Sequence, residues 1–127
     1  MTFDELYDLA IKTLNPKKLS KNSYAGSVAA SILSESGRVY TGVCIDTPCS
    51  IGFCAEHSAI AAMVTAGENR IIKLIAVYKD GTILPPCGRC REFISQIHDD
   101  NYKCEVMVKK DTVVIMDDLL PYSRERK

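Results

Sequence analysis

Apolar and polar positions recur along this chain at two periods, and the places where one gives way to the other divide it into elements. Across residues 2–14 the apolar set Phe3, Leu6, Leu9, Ala10 and Leu14 follows the helical period, so a first amphipathic helix is expected there. Thr2 and Glu5 stand at capping-box spacing at its start, and Asn15-Pro16 ends it. Residues 16–24 are polar and read as a loop. Residues 27–34 and 38–45 read as two strands. In the second, Val39, Thr41, Val43 and Ile45 alternate with Arg38, Tyr40 and Gly42. The connection Glu35-Ser36-Gly37 is short and contains glycine, which makes the pair a hairpin. Residues 54–66 read as a second helix, stopped by Gly67.

The run from Ile71 to Tyr78 is apolar on both parities, the pattern of a central strand covered on both faces. A third helix is expected over residues 88–98, the last strands over 103–109 and 112–116, and a short final helix opening at Asp117-Asp118. Only Lys110-Asp111 separates the last two strands. A parallel pair needs a crossover of about a dozen residues or more, so these two are antiparallel if they pair with each other. Strands interleaved with helices predict an α/β fold, a three-layer α/β/α sandwich on a mixed five-stranded sheet.

The length of 127 residues fits one domain, residues 1–127. Sixteen basic residues balance sixteen acidic ones, so there is no global positive field to attract a nucleic acid. No apolar run reaches the ~18 residues of a membrane span. The acidic start MTFDELYD lacks the layout of a secretion signal, and a cytoplasmic protein is expected. Six cysteines, at 44, 49, 54, 87, 90 and 104, are then expected to be reduced rather than paired in disulfides.

Two of them lie in "PPCGRCREF". Cys87 and Cys90 are three apart, so at a helix start both thiols serve one face. Taken alone, the pair fits a redox couple, half of a structural zinc site or two core cysteines. Cys54 changes the picture, because it also stands at a helix start and has Glu56 beside it. Residues two apart point to opposite sides of a helix body. Cys54 and Glu56 therefore serve one centre only if it lies off the helix end. Three thiolates make an incomplete tetrahedron: a structural zinc site adds a fourth protein ligand, here Cys49 or His57, whereas a catalytic one leaves that place to water.

"CAE" followed by "PCGRC" is the related signature of zinc deaminases. The chain resembles the cytidine deaminase family in its three-cysteine form, through Gly42, Cys54-Ala55-Glu56, Pro86-Cys87-Gly88-Arg89-Cys90-Arg91 and Leu119-Leu120-Pro121. "SVAASILSESGRVYTGV" and the "CGRCR" segment look most like its blasticidin S deaminase branch.

The resemblance implies Zn2+ held by Cys54, Cys87 and Cys90, with Glu56 shuttling a proton from the attacking water to ring N3 and to the leaving amine. It implies hydrolytic deamination of a free nucleoside, cytidine or deoxycytidine, as in pyrimidine salvage. Blasticidin S is the alternative substrate, and a closed structural zinc module the non-catalytic alternative. Antiparallel terminal strands resemble the free-nucleoside members rather than those that act on nucleic acid. A homotetramer, or a dimer, with shared active sites and no nucleic-acid or membrane partner is implied as well.

Family members carry Asn-x-Glu for the sugar, and here Cys44-Ile45-Asp46 stands in that place. Cys44 cannot supply an amide's paired donor and acceptor, and Asp46 is one methylene shorter than Glu. Ala55 is another implied substrate contact, and Tyr122, after Leu119-Leu120-Pro121, is implied as an aromatic over the substrate of a neighbouring subunit. The family often has an arginine directly after the glutamate. His57 stands there instead, which makes Arg89 and Arg91 the candidates to offset three thiolates.

Overall fold

A computed structural model describes residues 1–123. Helix α1 (Phe3–Thr13) starts with the expected capping box: Glu5 N–H donates to Thr2 Oγ1 at 3.2 Å, and Thr2 N–H to Glu5 Oε1 at 3.4 Å. Strands β1 (Lys17–Ser20), β2 (Ser23–Ser34) and β3 (Val39–Asp46) follow, then a 3-10 turn and helix α2 (Ala55–Thr65). Strands β4 (Ile71–Tyr78) and β5 (Ile83–Leu84) lead to helix α3 (Gly88–Gln96). Strands β6 (Glu105–Lys109) and β7 (Thr112–Ile115) and the short helix α4 (Met116–Leu119) complete the described chain.

The five expected strands form one mixed sheet in the order β3-β2-β4-β6-β7. The β4–β6 pair is parallel; the other pairings among the described residues are antiparallel. β6 and β7 pair antiparallel as the two-residue gap requires, with Asp111 at φ 61° in the turn.

The sheet has seven strands rather than five, because β1 and β5 were not expected. Residues 16–24 are not a loop: β1 runs back along the first residues of β2. Every residue of β1 is exposed, so it has no buried face to impose a period, and backbone pairing alone makes it a strand. β5 is two residues long, too short to show alternation.

β4 carries core on both faces. On one, Ile75 and Val77 meet Ala29 and Leu33 of β2 and Leu6 and Ala10 of α1. On the other, Leu74 and Ala76 join Ala30, Ile32 and Val106 against Ala59, Ile60 and Met63 of α2, Ile94 of α3 and Met116 of α4. Each large side chain buried in this way contributes roughly 1.5–3 kcal/mol.

Two local devices position the helices that carry the candidate chemistry. Gly42 of β3 lies so close to α2 that a Cβ built there would be 2.4 Å from the backbone nitrogen of Ala59. Beside it, Ser58 Oγ donates to the Val43 carbonyl at 2.7 Å. Asn101 is fully buried and ties three segments: it accepts from Ile71 N–H at 2.8 Å and donates to the Ile94 carbonyl at 2.9 Å and the Asn69 carbonyl at 3.0 Å. No helix among the described residues is long and apolar enough to cross a membrane.

Candidate active site

Cys54 is the N-cap of α2 and Cys87 the N-cap of α3, both with extended backbone. Cys90 sits one turn into α3 and is buried. The two helix starts bring the sulfurs together: Cys54 to Cys87 and Cys87 to Cys90 are each 3.4 Å apart, and all three lie within 4.8 Å of one another. With a Zn–S bond of about 2.3 Å, a tetrahedral site has sulfurs about 3.8 Å apart, so the trio has the size and donor chemistry of a zinc cradle. Among the described residues no other Cys, His, Asp or Glu joins this set of ligand atoms. Cys49 is exposed in the 3-10 turn (Pro48–Ser50) and is no fourth ligand.

The thiols are held in tension with one another. Burial, and the Cys87 thiol after it, push Cys54 up to about 11. Burial also raises Cys90, and the Glu56 charge adds to it. At Cys87 burial pushes upward as well, but the Cys90 backbone N–H and the Cys54 and Cys90 thiols outweigh it and hold that thiol below its usual value. Two thiols that resist ionising beside one that ionises readily form a site short of positive charge, which a dication would offset.

Glu56 is 4% exposed, in the first turn of α2 at the head of the buried stripe Ala59, Ile60 and Met63. Burial, partly opposed by its own backbone N–H, holds its carboxyl above the ordinary value. Its charge pushes upward on each of the three thiols, and its carboxyl lines the same cavity as Cys54 and Cys87. Cys54 lies outside the helix proper and Glu56 in its first turn, and both line one cavity at the α2 N-terminus.

Both groups open on a cavity of about 490 Å3. Cys44, Asp46 and Ala55 line it, as do Cys54, Glu56 and Cys87. Its walls also include Phe53, Leu84 and Ser27. Cys44 Sγ lies 3.4 Å from both Ser27 Oγ and Val28 N–H, and 3.6 Å from Asp46 Oδ2. The structure thus gathers Cys44, Asp46, Ala55, Glu56, Cys54 and Cys87 at one cavity, with Cys90 behind it. Tyr122, expected over the substrate of a neighbouring subunit, is 88% exposed and lies outside the lining of this chain's own cavity.

Two contacts were not foreseen. His57, which stands where the family often has an arginine, puts Nδ1 3.4 Å from Cys90 Sγ and stacks on Phe93 with centroids 4.6 Å apart. Burial, with Arg89 adding, holds its imidazole below its usual value. Arg89 lines the cavity. Arg91 is bound away from the sulfurs, donating to the Pro86 carbonyl at 2.8 Å and the Leu119 carbonyl at 3.2 Å. Ser27 carries no signal of its own in the sequence; His57 is three residues after Cys54, and only the approach of α3 turns that spacing into a contact.

The model of the cytidine and deoxycytidylate deaminase zinc-binding region matches residues 4–106. Cytidine deaminase of Mycobacterium tuberculosis is 35% identical over 69 residues, 54% of this chain and 52% of that enzyme. The chain thus spans about half the length of that curated relative. Blasticidin-S deaminase of Bacillus cereus is 29% identical over 108 residues, 78% of this chain and 77% of its own length. The crystal structure of cytidine deaminase from Mycobacterium leprae superposes with a TM-score of 0.81 at 28% identity, covering 95% of this chain and 98% of that one. The family match over most of the chain, the shared architecture and the clustered sulfurs agree, and the chain belongs to the cytidine and deoxycytidylate deaminase zinc-binding family.

Proposed function

We propose that this chain is a zinc-dependent hydrolytic deaminase of the cytosine ring of a free nucleoside, cytidine or deoxycytidine. One observation carries the reading: of three sulfurs at zinc spacing, those of Cys54 and Cys87 line one cavity with Glu56, a buried carboxyl of raised pKa. Cys54, Cys87 and Cys90 would hold the zinc, which supplies the Lewis acidity that activates water. Glu56 takes a proton from the attacking water and delivers it to ring N3, then passes a proton to the amino group. The water oxygen bonds to C4, the C4–N4 bond breaks and ammonia leaves. A raised carboxyl pKa suits a group that must both accept and return a proton. The walls around Phe53 and Leu84 exclude bulk water from the ring. His57 Nδ1 lies 3.4 Å from Cys90 Sγ, and Arg89, in the cavity lining, is the cation placed to offset the thiolates.

Blasticidin S is the second reading. It is favoured by the greater share of chain matched in the Bacillus cereus enzyme. Ile51, at 76% exposure, and Tyr122 are apolar surface that assembly into a homotetramer would cover, and sedimentation reports that directly.

The decisive test measures ammonia release from cytidine, deoxycytidine and blasticidin S by zinc-loaded protein. Turnover of at least one is expected, with Glu56→Gln retaining zinc and losing activity by several orders of magnitude. Zinc bound with every substrate inert, or full activity in Glu56→Gln, would sink the reading.

A further inference from the structure

Strands β2 and β3 lose register once, beside the candidate site. Ala25 pairs with Ile45 and Ala29 with Val43, so Gly26, Ser27 and Val28 stand against the single residue Cys44. Surplus residues of this kind form a β-bulge, a device that re-aims side chains and gathers next to active sites. Gly26 makes the bend at φ 83°. A Cβ there would collide with the Asn15 carbonyl, and Asn15 N–H donates to the Gly26 carbonyl at 3.0 Å. The segment that follows α1 therefore clamps the bulge from outside the cavity.

The bulge surrounds the Cys44 sulfur with polar groups. Val28 N–H donates to Cys44 Sγ at 3.4 Å, and Ser27 Oγ lies 3.4 Å from the same atom. Cys44 has one S–H, and Asp46 Oδ2 at 3.6 Å accepts it. The Ser27 hydrogen is left with sulfur as its partner, and sulfur is a weak acceptor. An oxygen acceptor entering the cavity would draw that hydrogen away. Ser27 and Asp46 both line the cavity that holds Glu56, Cys54 and Cys87. Between them they offer a hydroxyl donor and a carboxylate acceptor, the two functions that a single amide at position 44 would combine.

We propose that Ser27 is a specificity-determining residue of this site, its hydroxyl donating to one sugar hydroxyl of the nucleoside while that sugar hydroxyl donates to Asp46. The proposal rests on the deaminase reading and deepens it: the substrate is a cytosine nucleoside that keeps this hydroxyl. A nucleoside without it leaves two polar groups of the cavity unpaired, which is how a hydrogen-bonding site rejects an analogue. The contact lies on the sugar, away from the reacting ring, and is the same before and during the reaction. It therefore acts on KM rather than on kcat.

The test measures kcat and KM for cytidine and its 2′-deoxy, 3′-deoxy and 5′-deoxy forms on the zinc-loaded protein and on its Ser27→Ala variant. In the unaltered protein one deoxy form is expected to fall about tenfold below cytidine in kcat/KM, the scale of one hydrogen bond. Ser27→Ala should lower kcat/KM about tenfold on cytidine, through KM, and change that one deoxy form by about twofold at most. A packing role for Ser27 predicts the same loss on all four nucleosides. Equal loss on all four, or no loss on any, overturns the proposal. If no nucleoside is turned over, the deaminase reading falls, and calorimetric binding of the same four nucleosides then decides the role of Ser27. Tighter binding of cytidine than of one deoxy form, with the difference lost in Ser27→Ala, upholds it; equal affinities or no binding overturn it.

Discussion

Replacing Gly42 with alanine drives a wedge between β3 and the helix that carries Cys54 and Glu56. The new Cβ would stand 2.4 Å from Ala59 N, 2.5 Å from Ser58 Cβ and 2.8 Å from Ser58 C. Ordinary contact begins at 3.4 Å, so the gap must open by 3.4 − 2.4 = 1.0 Å. The obstacles are backbone atoms and a side-chain root, which cannot rotate away. Either α2 or β3 must therefore retreat, straining the 2.7 Å bond from Ser58 Oγ to the Val43 carbonyl. Overpacking of this kind costs ~1–3 kcal/mol. At ~2 kcal/mol, Tm falls by roughly 6–8 °C for a chain of this size. Movement of α2 also carries Cys54 and Glu56 away from Cys87 and Cys90 on α3, and a misplacement of ~1 Å costs on the order of 100-fold in rate. Scanning calorimetry, zinc content and kcat/KM on the preferred nucleoside read the three effects. Gly88→Ala is the control for stability, since a Cβ there meets nothing within 4 Å, and its Tm should not fall. A Gly42→Ala protein with Tm unchanged and kcat/KM within about twofold of the original would refute the packing argument.

Three other outcomes are expected. Asn101→Leu strands the Ile71 N–H and the Ile94 carbonyl in the interior and removes the donor to the half-buried Asn69 carbonyl. It should cost about 2–4 kcal/mol, seen as a lower urea midpoint at unchanged m; an unshifted midpoint contradicts it. Glu68 accepts from Tyr40 Oη at 2.6 Å and Ser34 Oγ at 3.0 Å, and these bonds, led by that of Tyr40, hold its carboxyl down at about 2 against an ordinary 4.5. A depressed carboxyl stabilises the fold above the unfolded value, and that contribution is lost as pH falls from 4.5 towards 2. Glu68→Gln should therefore show a flatter stability profile across that window, and an identical slope counts against the bond. His57→Ala should lose zinc faster to a chelator and shift the sulfur-to-metal charge-transfer band of the cobalt-substituted protein, because the 3.4 Å contact to Cys90 is gone. An unmoved band would leave His57 a packing residue only.

Much of this protein is legible in one dimension. The helical stripe of α1 and the two-sided apolar run of β4 each report buried faces, and burial is what a periodic pattern records, whereas in β3 the one buried residue, Cys44, lies on the parity opposite the alternating set. The antiparallel β6–β7 pair follows from chain length alone, since two residues cannot cross over a sheet. The trio Cys54, Cys87 and Cys90 is readable because ligand chemistry restricts residue type, and helix starts restrict where such residues can sit. Tertiary structure decided the rest. β1 has no buried face, so only its pairing with β2 reveals it. His57 reaches Cys90 because α3 packs beside α2, a contact between segments 33 residues apart that no local pattern encodes. Local periodicity reports which side of an element is buried; which elements meet, and what stands between them, is set by long-range packing.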